Sequence, residues 1–259
     1  MLQRNHFPVL IFFICLSISW KAPLPQSVDL SAYCPTAKWQ YDATCYAYAF
    51  GYTALTMNYC IKHEITVPAE VNKHAFSDGF IASMHRKNTS FNWNCGRNGN
   101  YDIDKNIFEK YGCPKLITFR KDCTTSIPDS VILRAKETKL KEFHYIQEKQ
   151  TNDQHAIVAI KEVLAKKIPV LIVLHITDDF AGLGRTCNQL LPVLKDDNKS
   201  DTAHDIVIIG YDDAPASKYF GRFLVKNNFK NFGDERNMAW VKYENMMYMI
   251  THALYFTIA

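Results

Sequence analysis

The chain has 259 residues, 47% of them hydrophobic, with 30 Lys and Arg against 26 Asp and Glu, a formal net charge of +4. That much apolar material excludes a disordered chain and suffices for one large domain or two small lobes. A charge so near balance leaves no polyanion footprint. The densest basic stretch, residues 134–149, is interleaved with Glu137, Glu142 and Glu148 and reads as a solvated helical face, so no nucleic acid is expected as a partner.

From the N-terminus, residues 1–19 stand apart. Arg4 precedes an almost wholly apolar run, residues 7–20, which Lys21 ends. The run is too short to cross about 30 Å of hydrocarbon but suits the apolar part of an export signal. Ser17-Ile18-Ser19 supplies small residues at a cleavage position. We expect residues 1–19 to be a signal peptide and the mature chain to be secreted, periplasmic or otherwise extracytoplasmic, without a stable membrane span. An uncleaved anchor is the alternative. Of the eight cysteines, Cys15 leaves with the signal. Cys34, Cys45, Cys60, Cys95, Cys113, Cys123 and Cys187 remain, an odd number. In an oxidising compartment six of them can form three disulfides and one thiol is spare, though the count does not say which. No C-x-x-C pair is present, so neither a zinc ribbon nor a thioredoxin-type site is expected, and no metal or other cofactor is called for.

Residues 27–42 read as loop. Residues 45–63 lack proline and are apolar on most sides, which predicts a buried helix. Thr44 is its candidate N-cap, placing Cys45 in the first turn, where the helix dipole favours a thiolate. A buried half-cystine is the competing reading. Residues 67–84 suggest a second helix, 87–101 a loop, and 102–111 a short amphipathic helix ended by Gly112. Residues 130–149 form an extended or helical excursion. Residues 154–167 are an amphipathic helix stopped by Pro169, and 170–176 a buried strand. Residues 206–211, 222–226, 239–243 and 254–258 are short strands between turns. A helical front half and a strand-rich back half predict an α+β architecture in two lobes.

A nucleophilic cysteine needs a base and a third group to orient that base. Cys45 begins a helix, His204 precedes the strand IVIIGYDD, and Asn227 ends the strand FLVK. Such positions suit side chains that converge on a cleft between lobes, with Asn227 fixing the imidazole tautomer. His63, His74, His85, His155 and His175 have no partners at ligand spacing and read as surface or satisfied core residues. Asp212-Asp213 reads as a turn. Asn88-Thr89-Ser90 and Asn198-Lys199-Ser200 are glycosylation sequons only in a eukaryotic source. Phe91 and Trp93 belong to a cleft rim or to the core.

In these residues the chain resembles the papain-like cysteine peptidases, particularly bacterial members. ATCYAYAF is similar to the family's cysteine helix, AHDIVIIGYDD to its histidine strand, and FLVKNNFKNFGD to its Asn-Ser-Trp-Gly segment. IKEVLAKKIPVLIVL is similar to the segment before the histidine, and CGRNGNYDIDKNIFEKYG to the stretch that lines the cleft. The resemblance runs from about residue 40 to 243. It implies a papain-like two-lobe fold, with a helical left lobe, an antiparallel β-barrel-like right lobe and the active site in the cleft. Residues 20–259 would be one catalytic domain, 20–125 mainly helical and 126–259 mainly β. It also implies a monomeric exported peptidase acting on peptides or proteins through a thioester acyl-enzyme, with no protein inhibitor specified by the sequence.

Carried over by position, Cys45 is the nucleophile and His204 the base and then acid, the two forming a thiolate–imidazolium pair. Asn227 orients His204, and Phe229 shields it where the family has Trp. Gln40 donates to the oxyanion with the backbone N–H of Cys45, and Asn98 and Gly99 bind extended substrate. The departures are specific. Gln40 stands five residues before the cysteine, where the family has six. Tyr46 replaces Trp, Asn228 replaces Ser, and Asn98-Gly99-Asn100 replaces a Gly pair. The Cys45-to-His204 spacing of 159 residues exceeds the usual range, the excess falling in residues 130–149 and 178–200. No long inhibitory segment separates the expected cleavage site from Cys45. The alternative function is a catalytically silent relative that binds peptides or a protein partner.

Overall fold

A computed structural model describes residues 23–88, 99–148, 154–182 and 199–259. The expected signal peptide, Asn98, Phe91, Trp93, Cys95, Cys187 and part of each sequon lie outside these residues.

One helical run forms the centre of the front half. It begins as α1 (Cys45–Ala47), widens into a π-helical segment (Tyr48–Leu55) and returns to α-helix as α2 (Thr56–Lys62). Residues 45–58 are buried throughout, as expected of a helix that is apolar on most sides. The helix expected over 67–84 is instead two, α3 (Pro68–Lys73) and α4 (Asp78–Asn88). The break has a cause: Phe76 pairs with Lys115 as an isolated β-bridge, and Ser77 Oγ accepts the Phe80 N–H, starting a new helix. Next comes α5 (Tyr101–Tyr111). Asn100 Oδ1 caps it by accepting from the N–H groups of Asp102 and Ile103 at 2.8 and 3.2 Å. Gly112 ends it at φ +74°, where a Cβ would come within 1.9 Å of the Ala135 carbonyl oxygen. The stretch 130–149 resolves into α6 (Asp129–Ala135) and a strand, Leu140–Gln147, so the basic residues after Ala135 do not form the helical face expected of 134–149.

The back half is a seven-stranded antiparallel sheet. Its strands are β1 (Ser27–Asp29), β2 (Leu140–Gln147), β3 (Val170–Thr177), β4 (Lys199–Asp212), β5 (Arg222–Lys226), β6 (Met238–Lys242) and β7 (Ile250–Ile258). The order is β2-β7-β3-β4-β5-β6, with β1 added to β4. β1 lies where the sequence suggests loop; three residues are too few to show alternation. Most of β3 and residues 206–209 of β4 are apolar runs because both faces are covered there. The π-helical segment packs on one side, and α7 (Gln154–Ala165) packs through Ile157, Ile160, Val163 and Leu164. α8 (Asp178–Ala181) and α9 (Tyr243–Met249) complete the elements. Where helix meets sheet, Phe50 stacks on Phe256 at 4.6 Å with Phe108 edge-on.

Cys34, Cys60 and Cys113 are free thiols, so the expected set of three disulfides is not formed. Cys60 and Cys113 are small apolar groups in the core, and the Cys34 sulfur lies 3.3 Å from that of Met57. Cys123 is not among the free thiols.

Candidate active site

The central helix runs its N-terminus into β4, so Cys45 lies against the strand that carries His204. Thr44 occupies the N-cap as expected, but its hydroxyl does not cap the helix; it donates back to the Tyr41 carbonyl.

On β4 and the loop after β5, His204, Asn227 and Phe229 come together. His204 Nε2 lies 2.8 Å from Asn227 Oδ1, and both side chains are buried. That oxygen also accepts the N–H groups of Asn228 at 2.7 Å and Phe229 at 3.2 Å. Two backbone donors on one atom identify it as the amide oxygen. Nε2 therefore carries the proton and donates, and Nδ1 keeps its lone pair. Phe229 covers the pair, its ring 3.9 Å from that of His204 and tilted by 16°. Burial drives the His204 pKa down to about 4, against the opposing hydrogen bond with Asn227.

Asn228 joins the two halves of the site. Its Nδ2 donates to the Cys45 carbonyl and to the Asp205 carbonyl, each at 3.3 Å. It ties the start of the helix to the strand, a role legible in the sequence only as a departure from serine.

The thiol's hydrogen bond goes to a carboxylate. Cys45 Sγ donates to Asp205 Oδ2 at 3.2 Å, in a site where Cys45 is 8% exposed. Burial first, then the Asp205 charge, pushes the thiol pKa well up. Asp205 itself is raised by burial to about 6, with Cys45 and Tyr101 favouring its ionised form. Burial raises the thiol and lowers the imidazole, so it works against the expected thiolate–imidazolium pair at both ends, and the Asp205 charge adds to it at the sulfur.

Behind Asp205 lie groups without partners. Asp104 is fully buried and neither carboxylate oxygen is hydrogen-bonded; burial, then the charge of Asp205, holds its pKa well above the carboxylate range. The Tyr101 hydroxyl faces Asp205 without good hydrogen-bond geometry. His85 is buried against the Tyr46 ring at 4.7 Å with an unpartnered Nε2, so it is neither a surface histidine nor a satisfied core one. The sequence contains a signal: Tyr101, Asp104, Ile107 and Phe108 share one helical face, so Asp104 occupies a core position.

Gln40 does not present its amide freely. Its Nε2 donates to the Asp42 carbonyl at 2.6 Å, and its Oε1 is buried without a partner. The shortened turn to the cysteine closes with Asp42 at φ +50°. The Gln40 backbone N–H reaches the Asn228 carbonyl at 3.0 Å, which fixes the loop beside the site. Gly99 lies against Tyr46; a Cβ there would be 2.5 Å from the Tyr46 side chain, so only glycine allows this approach. The acidic pair stands where β4 ends and leads into a turn: Asp212 accepts from the Ala214 N–H and Ser217 hydroxyl, and Asp213 pairs with Lys161 at 2.7 Å.

Three solved structures share this architecture. Xylellain, a cysteine protease from Xylella fastidiosa, superposes with a TM-score of 0.67 at 17% identity, covering 91% of this chain and 87% of that one. The fold is that of the papain-like cysteine proteases. Digestive procathepsin L 3 from the Tenebrio molitor larval midgut gives 0.63 at 16% identity, covering 93% and 72% of the two chains. Amb a 11, a ragweed pollen cysteine protease and allergen in its proform, gives 0.68 at 15%, covering 92% and 68%. At such identities the likeness is one of fold. No family model and no curated protein matches the chain. In the papain-like frame, the helix bearing Cys45 and the strand bearing His204 stand where the expected lobes meet. Among the described residues no helix is long and apolar enough to cross a membrane, and no group of His, Cys, Asp and Glu is arranged to hold a metal ion.

Proposed function

We propose that the chain is an exported cysteine peptidase, its mature part beginning at residue 20 and acting on peptides or proteins. The observation that supports this best is the His204–Asn227 pair at 2.8 Å under the Phe229 ring, on the strand that meets the helix starting at Cys45. A histidine held in one tautomer, shielded from water and beside a helix-terminal thiol has the parts of a nucleophile–base pair.

In this reading Cys45 loses its proton to His204 Nδ1 and attacks the peptide carbonyl. His204 then protonates the leaving amine, and water releases the acyl group from the thioester. The backbone N–H of Cys45 at the helix start receives the oxyanion; Gln40 joins it only after leaving the Asp42 carbonyl. Each such donor contributes about 10²–10³ in rate. Gly99, beside Tyr46, offers its backbone to extended substrate, with Asn98 next to it.

The engaged Gln40 amide and the thiol parked on Asp205 favour a second reading, a silent peptide binder. Labelling with an electrophilic epoxide separates the two. The peptidase reading expects stoichiometric modification of reduced protein at Cys45 and none in Cys45→Ala. A folded protein that leaves the epoxide intact while binding peptides supports the silent binder.

A further inference from the structure

We infer that Asp205 is a positioning residue for the nucleophile: its buried carboxylate holds the Cys45 thiol in a protonated resting place, and taking up a proton releases that thiol to His204. The inference rests on the proposed peptidase site but concerns a group that the Cys–His–Asn scheme does not use.

Geometry comes first. Cys45 Sγ donates to Asp205 Oδ2 at 3.2 Å. Asp205 follows His204 directly on β4, and successive strand side chains point to opposite faces. The sulfur makes no hydrogen bond to His204 among the described residues, although Nδ1 of that ring is free to accept one. Asp205 is 7% exposed, and the groups facing it are few. From the central helix come Cys45 and Tyr46; from α5 come Tyr101 and Asp104; His85 of α4 stacks behind Tyr46. On β3 its register partner is the apolar Val173. The groups acting on Asp205 are Cys45 and Tyr101, and neither is a cation. An uncompensated carboxylate beside a sulfur penalises the thiolate, whereas His204 responds only to burial and to Asn227.

The proton balance is closed. With Asp205 ionised, the thiol keeps its proton and shares it with the carboxylate. When Asp205 takes a proton from solvent, the opposing charge disappears. The thiol proton can then pass to Nδ1 of His204, leaving sulfur negative and the ring positive. One proton enters, one moves, and none is lost. Because burial has lifted Asp205 to about 6, mild acid suffices.

The test reads sulfur chemistry without turnover. Full-length reduced protein is treated with iodoacetamide from pH 4.5 to 8.5, and the rate of adduct formation at Cys45 is followed by peptide mapping, with Cys45→Ser as background for the other thiols. An ordinary thiol is alkylated more slowly as pH falls. Here the wild-type rate is expected to rise as pH drops below about 6. Asp205→Asn, which keeps shape and removes charge, is expected to react about tenfold or more faster than wild type at pH 7.5, with little change between pH 5 and 7.5. Wild-type and Asp205→Asn profiles that overlay would overturn the inference. Should the variant not fold, the wild-type profile decides alone: a rate that climbs steadily with pH, without an acid limb, sinks it. Peptide cleavage is scored separately. Cleavage with overlaid profiles ends this inference and leaves the peptidase reading, while an acid limb without cleavage does the reverse.

Discussion

The two sides of the site differ in how their ionisable groups are held. On the His204 side, Asn227 Oδ1 takes three donors, Phe229 covers the bond, and Asn228 ties strand to helix, so the imidazole itself is held although Asn227 Nδ2 and Asn228 Oδ1 are buried without partners. On the Cys45 side, a thiol meets a carboxylate, while Asp104, Tyr101 and His85 bury polar atoms without partners. Buried polar groups normally find partners, and those that do not are costly. The base is therefore pre-built, whereas the nucleophile sits in an uncompensated electrostatic setting that a single proton can change.

Substitutions sharpen this contrast. Cys45→Ala should lower kcat/KM by about 10⁴-fold or more, since no other group supplies the nucleophile; stopped peptide-cleavage assays measure it. Asn227→Ala frees the ring to turn, and a misplaced base costs about 10²-fold. If its kcat/KM equals that of wild type, the pre-built side is not needed. Phe229→Ala admits water to the His204–Asn227 bond. With burial relieved, the His204 pKa should climb from about 4 toward its ordinary 6.5, and activity should fall about tenfold, short of the about 10²–10⁴ that proton transfer contributes in full. NMR titration of the ring reads the shift.

The smallest effects fall on stability, and two residues oppose one another. Burial and Asp205 hold the Asp104 pKa above its ordinary value, so the folded chain keeps a proton that the unfolded chain releases near pH 4. Stability present in acid is then lost as pH rises. Asp104→Leu should raise the urea midpoint more at pH 8 than at pH 4, by the equivalent of about 1–3 kcal/mol. His85 runs the other way. Burial lowers it to about 4, so the unfolded chain takes the proton first and stability is lost as pH falls from about 6.5. His85→Phe should flatten that acid loss.

Much of the architecture is legible in the amino-acid sequence. The central helix, α5 with its Gly112 terminus, α7 and the back-half strands follow from periodicity and breakers. The His204, Asn227 and Phe229 corner is readable because each residue adjoins a strong apolar run, although His204 lies inside β4, which begins at Lys199, and not just ahead of the strand as expected. The split at residues 74–77 is not, because Phe76 leaves the helix to pair with distant Lys115. Nor is β1, which is held by its long-range pairing with β4. The thiol's partner escapes for a similar reason. Asp205 is one residue past His204 in an apolar strand, and only the approach of the central helix turns that charge toward sulfur.

The most direct measurement is cleavage of a peptide library by mature wild-type protein and by Cys45→Ala, read by mass spectrometry. The expected result is a defined set of new peptide termini with the wild type and none with the variant. A folded, reduced wild type that cuts nothing from pH 4.5 to 8.5, or a variant that cuts equally well, would contradict the assignment of this site to peptide hydrolysis.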